Sequence, residues 1–269
     1  MDKLAIIGVG NIGTAIARGL LEAGLYEDGT LTLTRRHPDK LATLAEAGCR
    51  VGSDNRAAVR GNDVVIIAVE PLQLDGLLDE IAPDLDPARH VLVSVVSGAT
   101  LDQIRTRVGK PVPVIRVMPN TAIAVRESMT CLAADEDAAR ALPDVRHLFD
   151  QLGTTLVLDE ELMSAATALC ACGTAFFLRA IRAASQGGIE IGFDSEDALA
   201  MAAQTARGAA SLVLGRGQHP EGEIDRVTTP RGATISGLNE MEHQGFSSAF
   251  IKGIVTSARK VEGLYRKAD

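Results

Sequence analysis

Short apolar segments alternate with amphipathic stretches from residue 3 to about residue 158. Six of these segments have the length and composition of β-strands: LAIIGV, TLTLT, DVVIIAV, HVLVSVV, VPVIRVM and TTLVL. Two of them contain the runs VVIIAV and VLVSVV, which are apolar without alternation and therefore typical of strands buried on both faces. Helix-like stretches lie between several of the segments. The pattern predicts a doubly wound, mainly parallel α/β sheet with helices on both faces.

The strand pattern stops after LDEE at 158–161, and apolar residues at helical spacing take its place. The first predicted helix, at about 161–185, is small and apolar on nearly all sides. Such a helix is usually buried inside a bundle or against a second subunit. Further helices are predicted at about 195–215, 234–244 and 247–266. We therefore expect two domains, a sheet domain at 1–158 and an all-helical domain at 159–269.

Composition excludes several functional classes. With 27 Lys and Arg against 35 Asp and Glu, the formal net charge is -8, and no block of clustered basic residues suggests a nucleic-acid partner. The stretch MDKLAIIGVG lacks the features of a secretion signal, and no apolar run has the length of a membrane span. We therefore expect a cytoplasmic protein with no membrane partner. The four cysteines and five histidines show no metal-ligand spacing, so no metal site is predicted.

A glycine cluster directly follows the first predicted strand. In LAIIGVGNIGTAIARGLLEAG, residues Gly8, Gly10 and Gly13 have GxGxxG spacing between a strand and a helix. In dinucleotide-binding proteins, the first glycine forms a tight turn, the second lets a pyrophosphate approach the backbone, and the third lets the helix pack closely on the strand. The helix amino terminus then faces the phosphates. The cluster therefore predicts a Rossmann-type dinucleotide-binding domain.

The end of the second predicted strand indicates which dinucleotide is preferred. NAD-dependent proteins usually carry Asp or Glu about 20 residues beyond the glycines. Here Thr34, Arg35 and Arg36 stand at the strand end. Because guanidinium groups pair well with phosphate, NADPH is expected to be preferred over NADH. The alternative is that the two arginines are solvated residues ahead of a helix that starts near His37 and Pro38.

The segment VTTPRGATISGL, at 227–238, interrupts the helical pattern of the second half. Its threonines, proline and two glycines are unfavourable inside a helix. Consecutive N–H groups of a turn, together with a helix amino terminus, can hold a carboxylate without Arg or Lys. Gly232 would permit a close approach, and Thr234 would add a hydroxyl beside the same site. The alternative is a rigid turn that only caps the helix.

Taken together, these motifs resemble the pyrroline-5-carboxylate reductase family over essentially the whole chain. Matching stretches include Asn55 ahead of DVVIIAVEP, VSVVSGAT at 93–100, RVMPNTA at 116–122, ATALCACGTAFF at 166–177 and the segment 227–238. The resemblance implies reduction of the cyclic imine 1-pyrroline-5-carboxylate to L-proline, with NADPH or NADH as cofactor. It also implies a helical domain that forms an intertwined homodimer, which often assembles into a higher oligomer.

The resemblance further implies roles for individual residues. The implied substrate contacts are Val227, Thr229, Gly232, Ala233 and Thr234. Thr234 is the implied catalytic donor to the ring nitrogen. The implied cofactor contacts are Gly8, Gly10, Asn11, Ile12, Gly13, Arg35, Arg36, Asn55, Ala68, Val69, Pro71 and Ser97. Because a protonated cyclic imine is already electrophilic, the protein mainly has to position it against the nicotinamide and exclude water.

Several positions depart from the family pattern. Glu70 replaces a usual Lys, Arg231 interrupts a usual PGG, CACGTAF replaces an SGSGPAY-like run, and Ala122 replaces a proline. A reductase of a related cyclic imino acid, or a nucleotide-binding regulatory homologue that has lost catalysis, would also fit these changes. β-Hydroxyacid dehydrogenases share the two-domain plan but use a catalytic Lys in the long helix after the nucleotide domain. No Lys lies between Lys110 and Lys252, which argues against that group.

Overall fold

The computed structural model describes residues 3–26, 29–217 and 219–265. The chain divides into two compact units: Met1–Cys172 with Ser257–Asp269, and Gly173–Thr256. This division falls later than the predicted domain boundary at 158/159, because Met163 and Ala166 pack in one apolar cluster with Cys131 of the sheet. The predicted domain ends at 1 and 269 lie outside the described residues.

The larger unit is built around an eight-stranded sheet with the order β3-β2-β1-β4-β5-β6-β7-β8. The strands are β1 Leu4–Ile7, β2 Leu31–Thr34, β3 Arg50–Gly52, β4 Val64–Ile67, β5 Val91–Ser94, β6 Val114–Met118, β7 Ser128–Ala134 and β8 Gly153–Val157. Neighbouring strands pair in parallel except β6 and β7. The predicted mainly parallel sheet is confirmed. The sequence pattern did not identify β3, which is very short, or β7, which is rich in Ser, Thr and Ala.

Helices cover both faces of this sheet, as expected for a doubly wound fold. They are α1 Asn11–Glu22, α2 Ala42–Glu46, α3 Asn55–Gly61, α4 Leu74–Ile81, α5 Leu101–Val108, α6 Leu142–Asp150 and α7 Met163–Ala166. Neighbouring residues of the central strands belong to opposite cores. Ile6 and Ile66 pack in one apolar core, whereas Ile7 and Ile67 pack in the other, and all four are buried. This double burial explains the continuous apolar runs of β1 and β4.

The remaining helices are α8 Gly173–Glu190, α9 Ser195–Arg216, α10 Pro220–Val227, α11 Ala233–His243 and α12 Phe246–Val261. The predicted helices at 195–215 and 234–244 match α9 and α11 closely, and α12 matches most of the fourth. The predicted end of that last helix, residue 266, lies outside the described residues. Two features were not predicted: α10 itself, and a π-helical turn at Thr167–Cys172 ahead of α8.

The helical unit has almost no core of its own. Among its described residues, only Gly173, Ser185 and Ala198 are buried. Large apolar side chains are exposed along its helices, among them Phe177, Leu178, Ile191, Phe193, Met201 and Leu214. One helical stretch, Glu160–Glu190, is long and apolar enough by length and composition to cross a membrane, whereas no run of that length was predicted from the sequence. Exposed apolar area on this scale calls for a partner surface.

A candidate dinucleotide site and a candidate substrate turn

The glycine turn joins the end of β1 to the amino terminus of α1. Gly8 has a φ of +82°, and a Cβ there would lie 2.2 Å from Cγ1 of Val69, at the end of β4. Gly10 caps α1, and a Cβ there would meet nothing closer than a carbonyl oxygen at 3.9 Å. The first turn of α1 contains no acidic residue, and its N–H groups have no partner within the helix. The turn therefore leaves open space for a phosphate at a helix amino terminus.

Gly13 does not behave as the fingerprint predicted. A Cβ at Gly13 would lie 3.5 Å from side-chain atoms of Ala68, Ile6 and Val9, which is ordinary van der Waals contact. The tight approach of α1 occurs instead at Gly19, where a Cβ would lie 2.4 Å from the carbonyl oxygen of Ile123. The close packing at Gly19, six residues after Gly13, is therefore against the turn that follows β6 and not against the first strand.

A cavity of about 570 Å³ opens beside the glycine turn at the carboxyl ends of β1, β2 and β4. The strand order reverses between β1 and β4, which is where dinucleotides bind in doubly wound sheets. The predicted cofactor residues that line the cavity are Gly8, Gly10, Arg35, Arg36, Asn55, Ala68 and Val69. The predicted residues outside its lining are Asn11, Ile12, Gly13, Pro71 and Ser97. The other lining residues, none of which was predicted as a cofactor contact, are Ile7, Val9, His37, Ser53, Glu70, Gln73, Leu77 and Glu80.

Among the described residues, the two arginines at the end of β2 have no partner for their side chains. Arg35 is half-buried, and its backbone N–H donates to the carbonyl of Gly52 at 3.0 Å. Arg36 is exposed. Within the described part of the chain, neither guanidinium forms a hydrogen bond or an ion pair with another residue. Their charges remain available to an anionic ligand, so the cavity combines a phosphate cradle with two cations and fits a phosphorylated dinucleotide.

Asn55 is held in one orientation on the cavity wall. Its Oδ1 accepts a hydrogen bond from the hydroxyl of Thr34 at 2.7 Å, and its Nδ2 donates to a carboxylate oxygen of Glu80 at 3.1 Å. Asp54 caps α3 by accepting from the N–H of Ala57 at 2.8 Å. These contacts fix the start of α3 beside the end of β2. The amide of Asn55 thereby connects two elements that both line the cavity.

The turn after β5, which carries Ser97, is covered by the carboxyl-terminal segment of the chain. Gly98 has a φ of +84°, and a Cβ there would lie 3.1 Å from the carbonyl oxygen of Val261 and 3.2 Å from the N of Tyr265. The hydroxyl of Tyr265 donates to Asp75 on α4. Burial, together with this hydrogen bond, raises the pKa of Tyr265 to about 12. The sequence does not predict this contact, because its partners are 190 residues apart.

The RVMPN stretch is anchored by buried polar groups. The N–H of Asn120 donates to the hydroxyl of Ser128 at 3.1 Å, and its Nδ2 donates to the carbonyl of Cys170 at 3.2 Å. Cys170 lies in the π-helical turn, a geometry that often marks functional sites. The buried Arg116 donates to Glu160 at 2.9 Å. These bonds hold the loop after β6 at the same sheet edge as the cavity.

The candidate substrate turn lies between α10 and α11 in the helical unit. The N–H of Gly232 donates to the carbonyl of Thr229 at 2.9 Å, which closes a β-turn with Pro230 and Arg231 at its centre. Arg231 has a φ of +62°. A proline followed by a positive φ has the pattern of a type II turn, whose third position favours glycine. Arg231 therefore occupies a conformation that its side chain disfavours.

The five predicted substrate residues lie between the end of α10 and the first turn of α11. They are Val227, Thr229, Gly232, Ala233 and Thr234. Gly232 caps α11 without a side-chain hydrogen bond, and the first turn contains no acidic residue. Thr234 is exposed at the second position of the helix. A Cβ at Gly232 would lie 2.5 Å from the hydroxyl of Thr229. Glycine is thus required by the turn itself, and not only as clearance for a ligand.

Comparisons with known proteins cover both halves of the chain. A family model described as pyrroline-5-carboxylate reductase dimerisation matches residues 160–264, and one described as NADP oxidoreductase coenzyme F420-dependent matches residues 3–98. Pyrroline-5-carboxylate reductase 1 of Dictyostelium discoideum is 50% identical over 98% of this chain, which spans 50% of that protein's length. Pyrroline-5-carboxylate reductase 2 of the same organism is 47% identical over 96% of this chain and 91% of its own length. The crystal structure of Plasmodium falciparum pyrroline carboxylate reductase with NADP bound matches with a TM-score of 0.90 at 24% identity, over 98% of each chain.

Proposed function

The chain belongs to the pyrroline-5-carboxylate reductase family, and from that membership we propose that it reduces 1-pyrroline-5-carboxylate to L-proline with NADPH. The observation that carries this proposal is the 47% identity to a reductase of that name over nearly the full length of both proteins. The dinucleotide cavity supports the same assignment, because its glycine turn and unpaired arginines suit NADPH. The enzyme is an oxidoreductase that uses NAD(P)H and acts on a C=N bond.

Several residues of the larger unit would hold the cofactor. The glycine turn and the amino terminus of α1 would bind the pyrophosphate, and Arg35 and Arg36 would pair with the 2′-phosphate. Asn55, Ala68 and Val69 would line the adenosine side of the cavity. Asn11, Ile12, Gly13, Pro71 and Ser97 remain predicted contacts, although they lie outside the cavity lining. NADPH, when bound, supplies the hydride that reduces the imine carbon.

In this proposal, the turn at 227–234 receives the substrate carboxylate on backbone N–H groups. The positive end of α11 supports binding of an anion there, since no acidic side chain lies in its first turn. As hydride reaches the imine carbon, the hydroxyl of Thr234 would donate a hydrogen bond to the lone pair that develops on the ring nitrogen. The nitrogen carries a proton in the reactive iminium, so reduction at carbon yields the secondary amine of proline without a side-chain acid.

The exposed apolar surface of the helical unit supports self-association. The dimerisation model matches almost this whole region, so the chain carries a domain through which the family forms homo-oligomers. We propose that the unit of assembly is a homodimer, and that dimers associate further. The absence of nucleic-acid and membrane partners and the cytoplasmic location remain predictions from the sequence.

A related cyclic imino acid is the second candidate substrate, because Arg231 places an added cation in the substrate turn. The experiment compares initial rates of NADPH oxidation with 1-pyrroline-5-carboxylate and with its six-membered analogue, 1-piperideine-6-carboxylate. The proposed function predicts a higher kcat/KM for the five-membered ring. A higher kcat/KM for the six-membered ring would favour the second candidate. Saturable activity with neither imine would support a regulatory homologue.

A further inference from the structure

The cavity contains a carboxylate that the dinucleotide fingerprint did not predict. The end of β2 has Thr34, Arg35 and Arg36 where NAD-dependent proteins usually have an acidic residue. Glu80 nevertheless lines the same cavity as these arginines. It comes from the last turn of α4, a different element of the fold. Two acidic residues, Glu70 and Glu80, thus line the cavity together with two cations. Glu80 is the one that is hydrogen-bonded to Asn55, beside the end of β2 where the fingerprint puts the adenosine ribose.

Hydrogen bonds hold the carboxylate of Glu80 toward the end of β2. The hydroxyl of Thr34 donates to Oδ1 of Asn55 at 2.7 Å, and this directs Nδ2 of Asn55 toward Glu80. Nδ2 donates to Oε2 of Glu80 at 3.1 Å. Among the described residues, no other group donates to the Glu80 carboxylate. Its second oxygen is therefore available to accept a hydrogen bond from a ligand.

We propose that Glu80 is a specificity-determining residue for the cofactor. Its carboxylate accepts a hydrogen bond from the ribose 2′-hydroxyl of NADH. In other NAD sites, an acidic residue at the end of β2 accepts this hydrogen bond. The same carboxylate repels the 2′-phosphate of NADPH, which Arg35 and Arg36 attract. The balance between Glu80 and the arginines sets the preference, and it lets the chain bind both cofactors. The inference rests on the proposed function only because that function assigns the cavity to a nicotinamide dinucleotide.

Two single variants separate this role from a general loss of charge. Glu80→Gln keeps the length of the side chain and removes its charge. Asp79→Asn removes the same charge from the neighbouring residue on α4, but Asp79 pairs with Arg107 and does not line the cavity. The paired variant Arg35→Ala with Arg36→Ala removes the opposing cations. If the cavity charges act directly on the cofactor, Glu80→Gln and the paired arginine variant should change the preference between NADPH and NADH in opposite directions. Asp79→Asn should leave that preference nearly unchanged.

The experiment measures the dissociation constants of NADPH and NADH for each purified variant by titration of nicotinamide fluorescence. We expect Glu80→Gln to raise the ratio of the NADH to the NADPH dissociation constant on the order of tenfold. The paired arginine variant should lower that ratio to about one or below, and Asp79→Asn should change it less than about twofold. The inference is overturned if Glu80→Gln leaves the ratio unchanged, weakens both cofactors equally, or matches Asp79→Asn. Because no imine is present, failure to reduce 1-pyrroline-5-carboxylate would reject the proposed function without affecting this result.

Discussion

At the scale of single residues, the glycines of the nucleotide turn divide into strict and permissive positions. Gly8 has a positive φ and leaves no room for a Cβ, whereas a Cβ at Gly13 would make ordinary contacts. The GxGxxG motif does not distinguish these positions, because the sequence shows only that each of them lacks a side chain. The clearance of each glycine depends on the neighbouring strand end. Only the folded structure supplies that information.

This difference gives a prediction. Gly8→Ala combines a disfavoured backbone conformation with a clash against Val69, so it should lower the free energy of unfolding by at least about 2 kcal/mol and abolish NADPH binding. Gly13→Ala should change the free energy of unfolding by less than about 1 kcal/mol and keep NADPH binding. Denaturant unfolding and cofactor titration of both variants test this. Equal damage at the two positions would show that the geometry described for Gly13 is wrong.

The role of Thr234 is also tested at the residue scale. If its hydroxyl orients the ring nitrogen mainly in the transition state, Thr234→Ala should lower kcat by a factor on the order of ten to a thousand, while the dissociation constant of NADPH stays unchanged. Thr228→Ala is a matched control, because the Thr228 hydroxyl donates to the carbonyl of Asp225 within the protein. If Thr234 has only a structural role, Thr234→Ala should leave kcat intact and change the free energy of unfolding by less than about 0.5 kcal/mol, because this exposed side chain does not cap the helix.

At the scale of elements, the sequence predicted the parts of the fold that local patterns encode. Continuous apolar runs located β1, β4 and β5, and helical periodicity located α9 and α11. Elements with weak local patterns were missed. β7 lies antiparallel to β6 and is stabilised by that pairing, while α10 is a short polar helix that begins at Pro220. Tertiary context decides such segments, and one sequence does not reveal it.

The candidate site follows the same rule. Residues near the glycine motif and at the end of β2 could be predicted because they are fixed by their position along the first strands. Glu80 and Tyr265 could not, since each reaches its site from an element that is distant in sequence. The π-helical turn at Thr167–Cys172 has no pattern that distinguishes it from an α-helix.

The Tyr265 contact predicts a pH-dependent stability. The folded-state pKa, about 12, is above the ordinary value of 10.0, so the folded chain holds the proton more tightly than the unfolded chain. The stabilisation is therefore fully present below pH 10 and is lost as the pH rises toward 12. Tyr265→Phe should lower the free energy of unfolding by about 1 kcal/mol near neutral pH, and this difference should shrink above pH 10. A difference that does not change with pH would contradict the raised pKa of Tyr265.

At the scale of the whole molecule, the helical unit must obtain its core from another copy. Its described residues include only three that are buried, which is too little apolar burial to offset the conformational entropy of ordering five helices. The same reasoning accounts for the apolar character of Glu160–Glu190. A helix that is buried between subunits can be as long and as apolar as a helix that spans a membrane. Association and folding of this unit should therefore be coupled.

We predict that light scattering will give a mass of at least twice that of one chain at micromolar concentration. On dilution, loss of helical circular dichroism should accompany any fall in mass, because the separated helical unit is not stable. Sedimentation at several concentrations provides the control for nonspecific aggregation. A monodisperse, fully helical monomer would rule out the proposed assembly.

The central claim is that this chain transfers a hydride from NADPH to the ring carbon of 1-pyrroline-5-carboxylate. The most direct measurement incubates the protein with that imine and with NADPH carrying two deuterium atoms at the nicotinamide C4, and analyses the product by mass spectrometry. The account predicts L-proline with one deuterium at C5, formed at the rate at which NADPH is consumed. Consumption of NADPH without labelled proline, or no consumption at all, would contradict it.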